Sequence, residues 1–205
     1  MNDFAYYALA LVIGFAHAFE ADHLAAVSNL VSTQKSLKSS AINGAFWGLG
    51  HTSTILLFSV LIIIMKFSIQ ENIFSRFEFL VGLMLIGLGI YRLYKLLRKI
   101  QHTTDNPHSH KLAYSVGLIH GLAGSGAIIL VVLNEMKSVA SSMLYLTLFG
   151  LGSMLGMLVA GAIMGNLVSL DFFKKYHINQ YFSFASAIFC IVYGNYVVYE
   201  NWGVL

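Results

Sequence analysis

Six long apolar runs, at about Phe4–Leu30, Ser40–Met65, Phe77–Leu97, Leu112–Leu133, Val139–Leu170 and Ile178–Asn201, are separated by short polar stretches. Each is near or above the roughly 20 residues that a helix needs to cross a bilayer. The pattern therefore predicts an all-α polytopic membrane protein with six transmembrane helices and little chain outside them. Composition agrees: 58% of the 205 residues are hydrophobic, 10% are charged and one is proline. A soluble core of this size could not bury so much apolar surface. The first run is not expected to be a cleaved signal, because Met1-Asn2-Asp3 lacks a positive leader and the run carries acidic residues.

Charge adds orientation. Loops after the first, third and fifth runs, with their flanks, hold Lys35, Lys38, Arg92, Lys95, Arg98, Lys99, Lys111, Lys174 and Lys175, while the opposite side holds Lys66, Arg76 and Lys137. By the positive-inside rule the richer side is cytoplasmic, which puts both termini outside a cytoplasmic (inner) membrane. The net charge of +3 thus reflects orientation, and no basic patch calls for nucleic acid. Cys190 is the only cysteine, so no intrachain disulfide is available.

The two halves of the chain resemble each other. Gly14-Phe-Ala-His17 pairs with Gly117-Leu-Ile-His120, and Phe46-Trp-Gly-Leu-Gly-His51 pairs with Phe149-Gly-Leu-Gly-Ser153 after a one-residue slip. Gly89-Ile-Tyr91 pairs likewise with Gly194-Asn-Tyr196. Three helices per half would make the second half run upside down relative to the first. The expected organisation is a single transmembrane domain of two inverted three-helix repeats, residues 1–99 and 112–205, joined by a cytoplasmic histidine-containing loop at 100–111. Inverted repeats of this kind are typical of secondary transporters, whose substrate site lies near the midplane between the halves.

Polar residues at membrane depth mark such a site. His17, Glu20, Asp22 and His23 interrupt the first run, and His51 and His120 interrupt the second and fourth. Counted from the starts of their runs at 1.5 Å per residue, His17, His51 and His120 lie about 20, 17 and 12 Å deep. An intramembrane Asp costs roughly 2.5–3.5 kcal/mol to insert, so the cluster needs a compensating partner, and a cation is the natural one. On a regular helix Asp22 and His23 point roughly 140° and 120° away from His17, on opposite sides of it. Either the helix is kinked or unwound between Ala18 and Ala21, or only some of these groups touch the ion and the others orient them. Imidazole and carboxylate without thiolate suit nickel, cobalt, zinc or manganese and argue against cuprous ion. The candidate ligands are His17, Asp22, His23 and His51, with Glu20 and His120 as accessory groups.

These residues carry a family resemblance. His17-x4-Asp22-His23 resembles the His-x4-Asp-His element of the nickel/cobalt transporter family, and Phe46-Trp-Gly-Leu-Gly-His51-Thr-Ser-Thr54 resembles its second motif. The second half, Gly117-Leu-Ile-His120-Gly-Leu-Ala-Gly124-Ser125 and Phe149-Gly-Leu-Gly-Ser153-Met-Leu-Gly156, is similar to the short branch of urease-accessory nickel permeases. The resemblance implies a permease that moves nickel or cobalt as its substrate, with no resident cofactor and no enzymatic activity. Longer members carry acidic motifs in their second half, whereas this chain offers His120 and Ser125 there.

Rival readings use the same residues. A buried network could merely fix helix packing, and the histidines could serve a bis-histidine haem protein or a membrane metalloenzyme with Glu20 as base. Glu20 and His23 have the Glu-x-x-His spacing of di-iron bundles, but the second copy those need is missing. The glycine runs Gly44-x3-Gly48 and Gly152-x3-Gly156 read as close helix contacts. His102, His108 and His110 read as an ordinary solvated loop around Asp105-Asn-Pro107. No motif specifies an oligomer or a metal-acceptor protein.

Overall fold

The structure, a computed structural model, describes residues 3–31, 36–65, 71–98, 107–121, 138–169 and 178–204, together with Ala123, Ile129, Val132 and Met136. Among the described residues there are seven α-helices: α1 (Asp3–His17), α2 (Ala21–Val31), α3 (Leu37–Met65), α4 (Glu71–Leu97), α5 (Pro107–His120), α6 (Val139–Ser169) and α7 (Ile178–Glu200). A 3₁₀ turn, Trp202–Val204, completes the chain's described part. Local chemistry sets several starts. Ser36 Oγ accepts the backbone N–H of Ser39 at 3.1 Å to cap α3, and Ser138 Oγ accepts that of Ser141 at 3.1 Å to cap α6. Pro107 opens α5, where its missing N–H costs nothing.

Helices α3, α4, α6 and α7 are long and apolar enough to cross a membrane, and α1 with α2 makes a fifth candidate, bent by 56° at a short break. The expectation of six spans is thus met in part. The fourth run gives the 14-residue α5, which stops at His120, and most of the segment between His120 and Lys137 lies outside the described residues. Helix α4, from the third apolar run, starts at Glu71, earlier than Phe77, because the helix continues through Arg76, a residue that breaks only the hydropathy. Lys35, Lys66, Lys99, Lys137, Lys174 and Lys175, which entered the charge count, lie outside the described residues, as do His102 and Ser125.

Helix α3 packs along α6, α1 against α6, α5 against α3, and α4 against α7, while α2 lies among α3, α4, α6 and α7. Bare backbone makes these approaches possible. A methyl group on Gly14 would strike the Phe149 carbonyl of α6, and one on Gly117 would strike the Trp47 carbonyl of α3. In the same way Gly152 meets the Leu11 carbonyl and Gly50 the Tyr114 carbonyl. Helices in lipid gain little from apolar burial, so such close contact is the main source of their cohesion. Side chains such as Leu57, Leu83, Ile163 and Val192 turn outward, as lipid-facing residues do.

Gly50→Val should therefore destabilise the protein by the upper part of the ~1–3 kcal/mol range for overpacking, since the obstacle is backbone and cannot rotate away. Gly87, where an added methyl meets nothing within 4 Å, supplies the control: Gly87→Ala should leave the detergent melting temperature unchanged.

Candidate metal site

The kink expected between Ala18 and Ala21 is where the first span breaks. Helix α1 ends at His17; Phe19 N–H donates to Ala16 O at 2.9 Å and Glu20 N–H to His17 O at 3.1 Å, a tightened last turn. Leu24 N–H then donates to Glu20 O at 2.9 Å, which starts α2 in a new direction. The break rotates His17 relative to Asp22 and His23, so that residues pointing apart on a straight helix come together. Rings of His17 and His23 lie 4.5 Å apart between centroids, and His51 of α3 lies 5.4 Å from His17 and 5.2 Å from His23.

Polar contacts hold the participating helices in place. Flanking His51, Thr52 Oγ1 donates to Gly150 O of α6 at 2.9 Å and Thr54 Oγ1 to Leu118 O of α5 at 2.9 Å, which fixes the rotation of α3. Helix α2 is pinned to α7 by the Ser28–Ser186 hydroxyl pair at 2.8 Å and by Cys190 Sγ donating to Ala25 O at 3.1 Å. Cys190 is thus a structural thiol that ties helices together.

Asp22 organises one side of the cluster. A carboxylate only accepts, so Oδ1 takes the His23 backbone N–H at 2.8 Å and the His23 Nδ1–H at 2.9 Å, while Oδ2 takes His120 Nε2–H at 3.0 Å. These bonds fix both tautomers and leave His23 Nε2 and His120 Nδ1 as lone-pair atoms. Glu20, 57% exposed, sets Oε1 2.9 Å from His17 Nδ1, within ion-pair range but out of line for a hydrogen bond.

The nitrogens left over are unusual. Among the described residues His17 Nδ1 and Nε2, His23 Nε2, both nitrogens of His51, and His120 Nδ1 are buried without a hydrogen-bond partner. Each unpaired buried polar atom costs about 1–3 kcal/mol, so a dense group of them signals a site built to bind something. One ligand atom each from His17, His23 and His51 lies within 4.8 Å of the others, and the same holds for Asp22, His23 and His120. Two metal–nitrogen bonds of ~2.1 Å span about 4.2 Å, so both groups are at or near ligating geometry. Among the described residues two helix C-termini, those of α1 and α5, reach the cluster against one N-terminus, that of α2, a balance that favours a cation.

All six residues singled out in the sequence come together here. His120, expected only as an accessory, is bonded directly to Asp22. Two neighbours received no role from the sequence. The Trp47 ring lies 5.4 Å from His23 and 5.8 Å from His120, and the Phe149 ring 5.4 Å from His17. Ser153 Oγ is buried without a partner among the described residues. Of the loop histidines, His110 packs back on α3, with Nδ1 2.7 Å from Asn43 Oδ1 and its ring stacked on Phe46. It is therefore not the freely solvated group that the loop pattern suggested.

Residues 4–111 match the NicO family, described as high-affinity nickel-transport protein. Over 96% of its length the chain is 35% identical to a urease accessory protein UreH of Bacillus sp. (strain TB-90), covering 91% of that protein. The chain belongs to the NicO family. A high-affinity nickel transport protein of Cupriavidus necator (strain ATCC 17699) is 33% identical over 45% of this chain, a match covering 30% of that longer protein. No solved structure matches. Membership in NicO, a family of transporters and not of enzymes, removes the metalloenzyme reading. The haem reading fails on geometry, because imidazoles with centroids 4.5–5.4 Å apart leave no room for a macrocycle between them.

Proposed function

We propose that this NicO protein is a nickel or cobalt permease of the cytoplasmic membrane whose ion is held by the imidazole nitrogens of His17, His23 and His51. The carrying observation is that one ligand atom from each of these three buried rings lies within 4.8 Å of the others at a helix break, with nitrogens that the other described residues leave unpaired. Asp22 sits behind them, holding His23 in the tautomer that presents Nε2, and supplies negative charge against the divalent ion. Neutral imidazole is the ligating form, so the ion competes with protons for the same nitrogens.

In this reading residues 1–99 and 112–205 are two inverted repeats joined by a loop at 100–111, and alternating access occurs between them. Packing supports the relation. Gly14 on Phe149 corresponds to Gly117 on Trp47, and Gly152 on Leu11 corresponds to Gly50 on Tyr114, each pair exchanging the halves. Gly82 meets the Gly194 carbonyl, and its counterpart contact joins Gly89 to the Ala187 carbonyl. His17 and His120 both end the first helix of their half. A substrate site at such an axis is reachable from either side by rocking one half against the other.

Two measurements test this. In proteoliposomes the purified protein should move nickel or cobalt and discriminate against calcium and magnesium, which prefer oxygen ligands; equal flux of all divalent ions would reject the reading. For orientation, cysteines placed within Ser36–Ser39 should be protected from impermeant reagents in intact cells and a cysteine at Asn72 should react. The opposite pattern would reverse the topology.

A further inference from the structure

We propose that the ion uses two overlapping stations that share His23: an imidazole station on His17, His23 and His51, and a carboxylate station on Asp22, His23 and His120. Translocation includes a step from one to the other around the His23 ring. This deepens the reading of the cluster as the ion site and rests on it.

Geometry separates the two. The His23 ring stands between the terminal histidines of the two halves, with its centroid 4.5 Å from that of His17 and 4.5 Å from that of His120. His17 and His51 contact each other's rings, whereas among the described residues the rings in contact with His120 are those of His23 and Trp47. His23 has a nitrogen toward each side: Nε2 is unpartnered, and Nδ1 faces Asp22 Oδ1 at 2.9 Å, so an ion entering between Asp22, His23 and His120 displaces the protons that His23 Nδ1 and His120 Nε2 now donate to the carboxylate. In each group one ligand atom per residue lies within 4.8 Å of the others.

Accessibility orders them. The side chains of His17, His23 and His51 are at most 2% exposed, while that of Asp22 is 17% exposed. In this conformation the ion exchanges with its access path at the carboxylate station and is enclosed at the imidazole station. The chemistry suits that order. A carboxylate attracts a divalent ion as it loses water, and three neutral imidazoles then select a borderline metal over calcium or magnesium. Two adjacent sites of moderate strength also let the ion leave, which one deep site would hinder.

The test is nickel X-ray absorption, with equilibrium binding and flux, on the full-length protein in lipid nanodiscs and vesicles: wild type, His51→Ala and His120→Ala. His120→Ala should keep one bound nickel on three imidazoles, and His51→Ala should keep one nickel on fewer imidazoles with added oxygen; each should lose at least tenfold in flux. Loss of binding in either single variant would overturn the proposal in favour of one undivided site, and so would wild-type flux in His120→Ala. Should an alanine variant not fold, the glutamine variant at that position takes the same readouts. A wild type that binds no nickel would instead sink the underlying assignment of the cluster.

Discussion

His23→Ala is expected to abolish nickel transport while the protein still inserts and purifies as a folded species. No other described residue contacts as many members of the cluster: its ring meets those of His17, His51, His120 and Trp47, and Nδ1 is bonded to Asp22. Removing it deletes a ligand and also takes away one of the two donors to Asp22 Oδ1, so the effect should exceed the ~10–100-fold loss typical of changes behind a metal ligand. Equilibrium binding of nickel to the purified protein, with size-exclusion as the folding control, gives the answer. Retained affinity within a fewfold of wild type would show that the ring only fills space.

Asp22→Asn should have the next largest effect, a loss of about 10–100-fold in affinity. The amide keeps one oxygen for His23 but places N–H donors where Oδ2 now accepts from His120 Nε2–H at 3.0 Å. His120 must then turn or change tautomer, and a negative charge facing the ion disappears. Insertion should be eased, because an aspartate at membrane depth costs roughly 2.5–3.5 kcal/mol. Higher membrane yield with weaker binding is the signature; unchanged affinity would mean that Asp22 serves helix packing alone.

The sequence carried the components of the site, and one piece of arithmetic carried the fold at its centre. At about 100° per residue, His17, Asp22 and His23 cannot face one point from a straight helix, and the 56° bend at Ala18–Glu20 is how the chain resolves the conflict. Which groups touch across helices was not legible. The Asp22–His120 bond joins residues 98 positions apart, and its existence depends on glycines that let α5 lie directly against α3. Trp47 and Phe149 stood in the motifs without a role of their own, because nothing local distinguishes a ring that walls a site from one that faces lipid. The end of α5 was also hidden, since the apolar run continues past His120 through Gly121 and Gly124 without a change in hydropathy.

Helix ends explain the remaining difference. Hydropathy places a boundary where polar residues begin, but a helix continues as long as its backbone bonds do, so α4 reaches Glu71 through Arg76 and Glu78. At His17 and His120 the reverse occurs: backbone bonding changes inside an apolar stretch, and the altered turns coincide with the residues whose nitrogens are left unpaired. Such mid-membrane breaks are tolerated where the freed backbone lies against protein or a cavity.

Metal-dependent thermal stabilisation in detergent, comparing wild type with His23→Ala, decides whether the buried imidazoles bind the transported ion. A ligand that binds only the folded protein stabilises it by about 2.7 kcal/mol at a hundredfold excess over Kd. Nickel should raise the melting temperature of the wild type and leave that of His23→Ala essentially unmoved, with calcium affecting neither. Equal stabilisation of both proteins by nickel would place the ion elsewhere and overturn the assignment of these histidines.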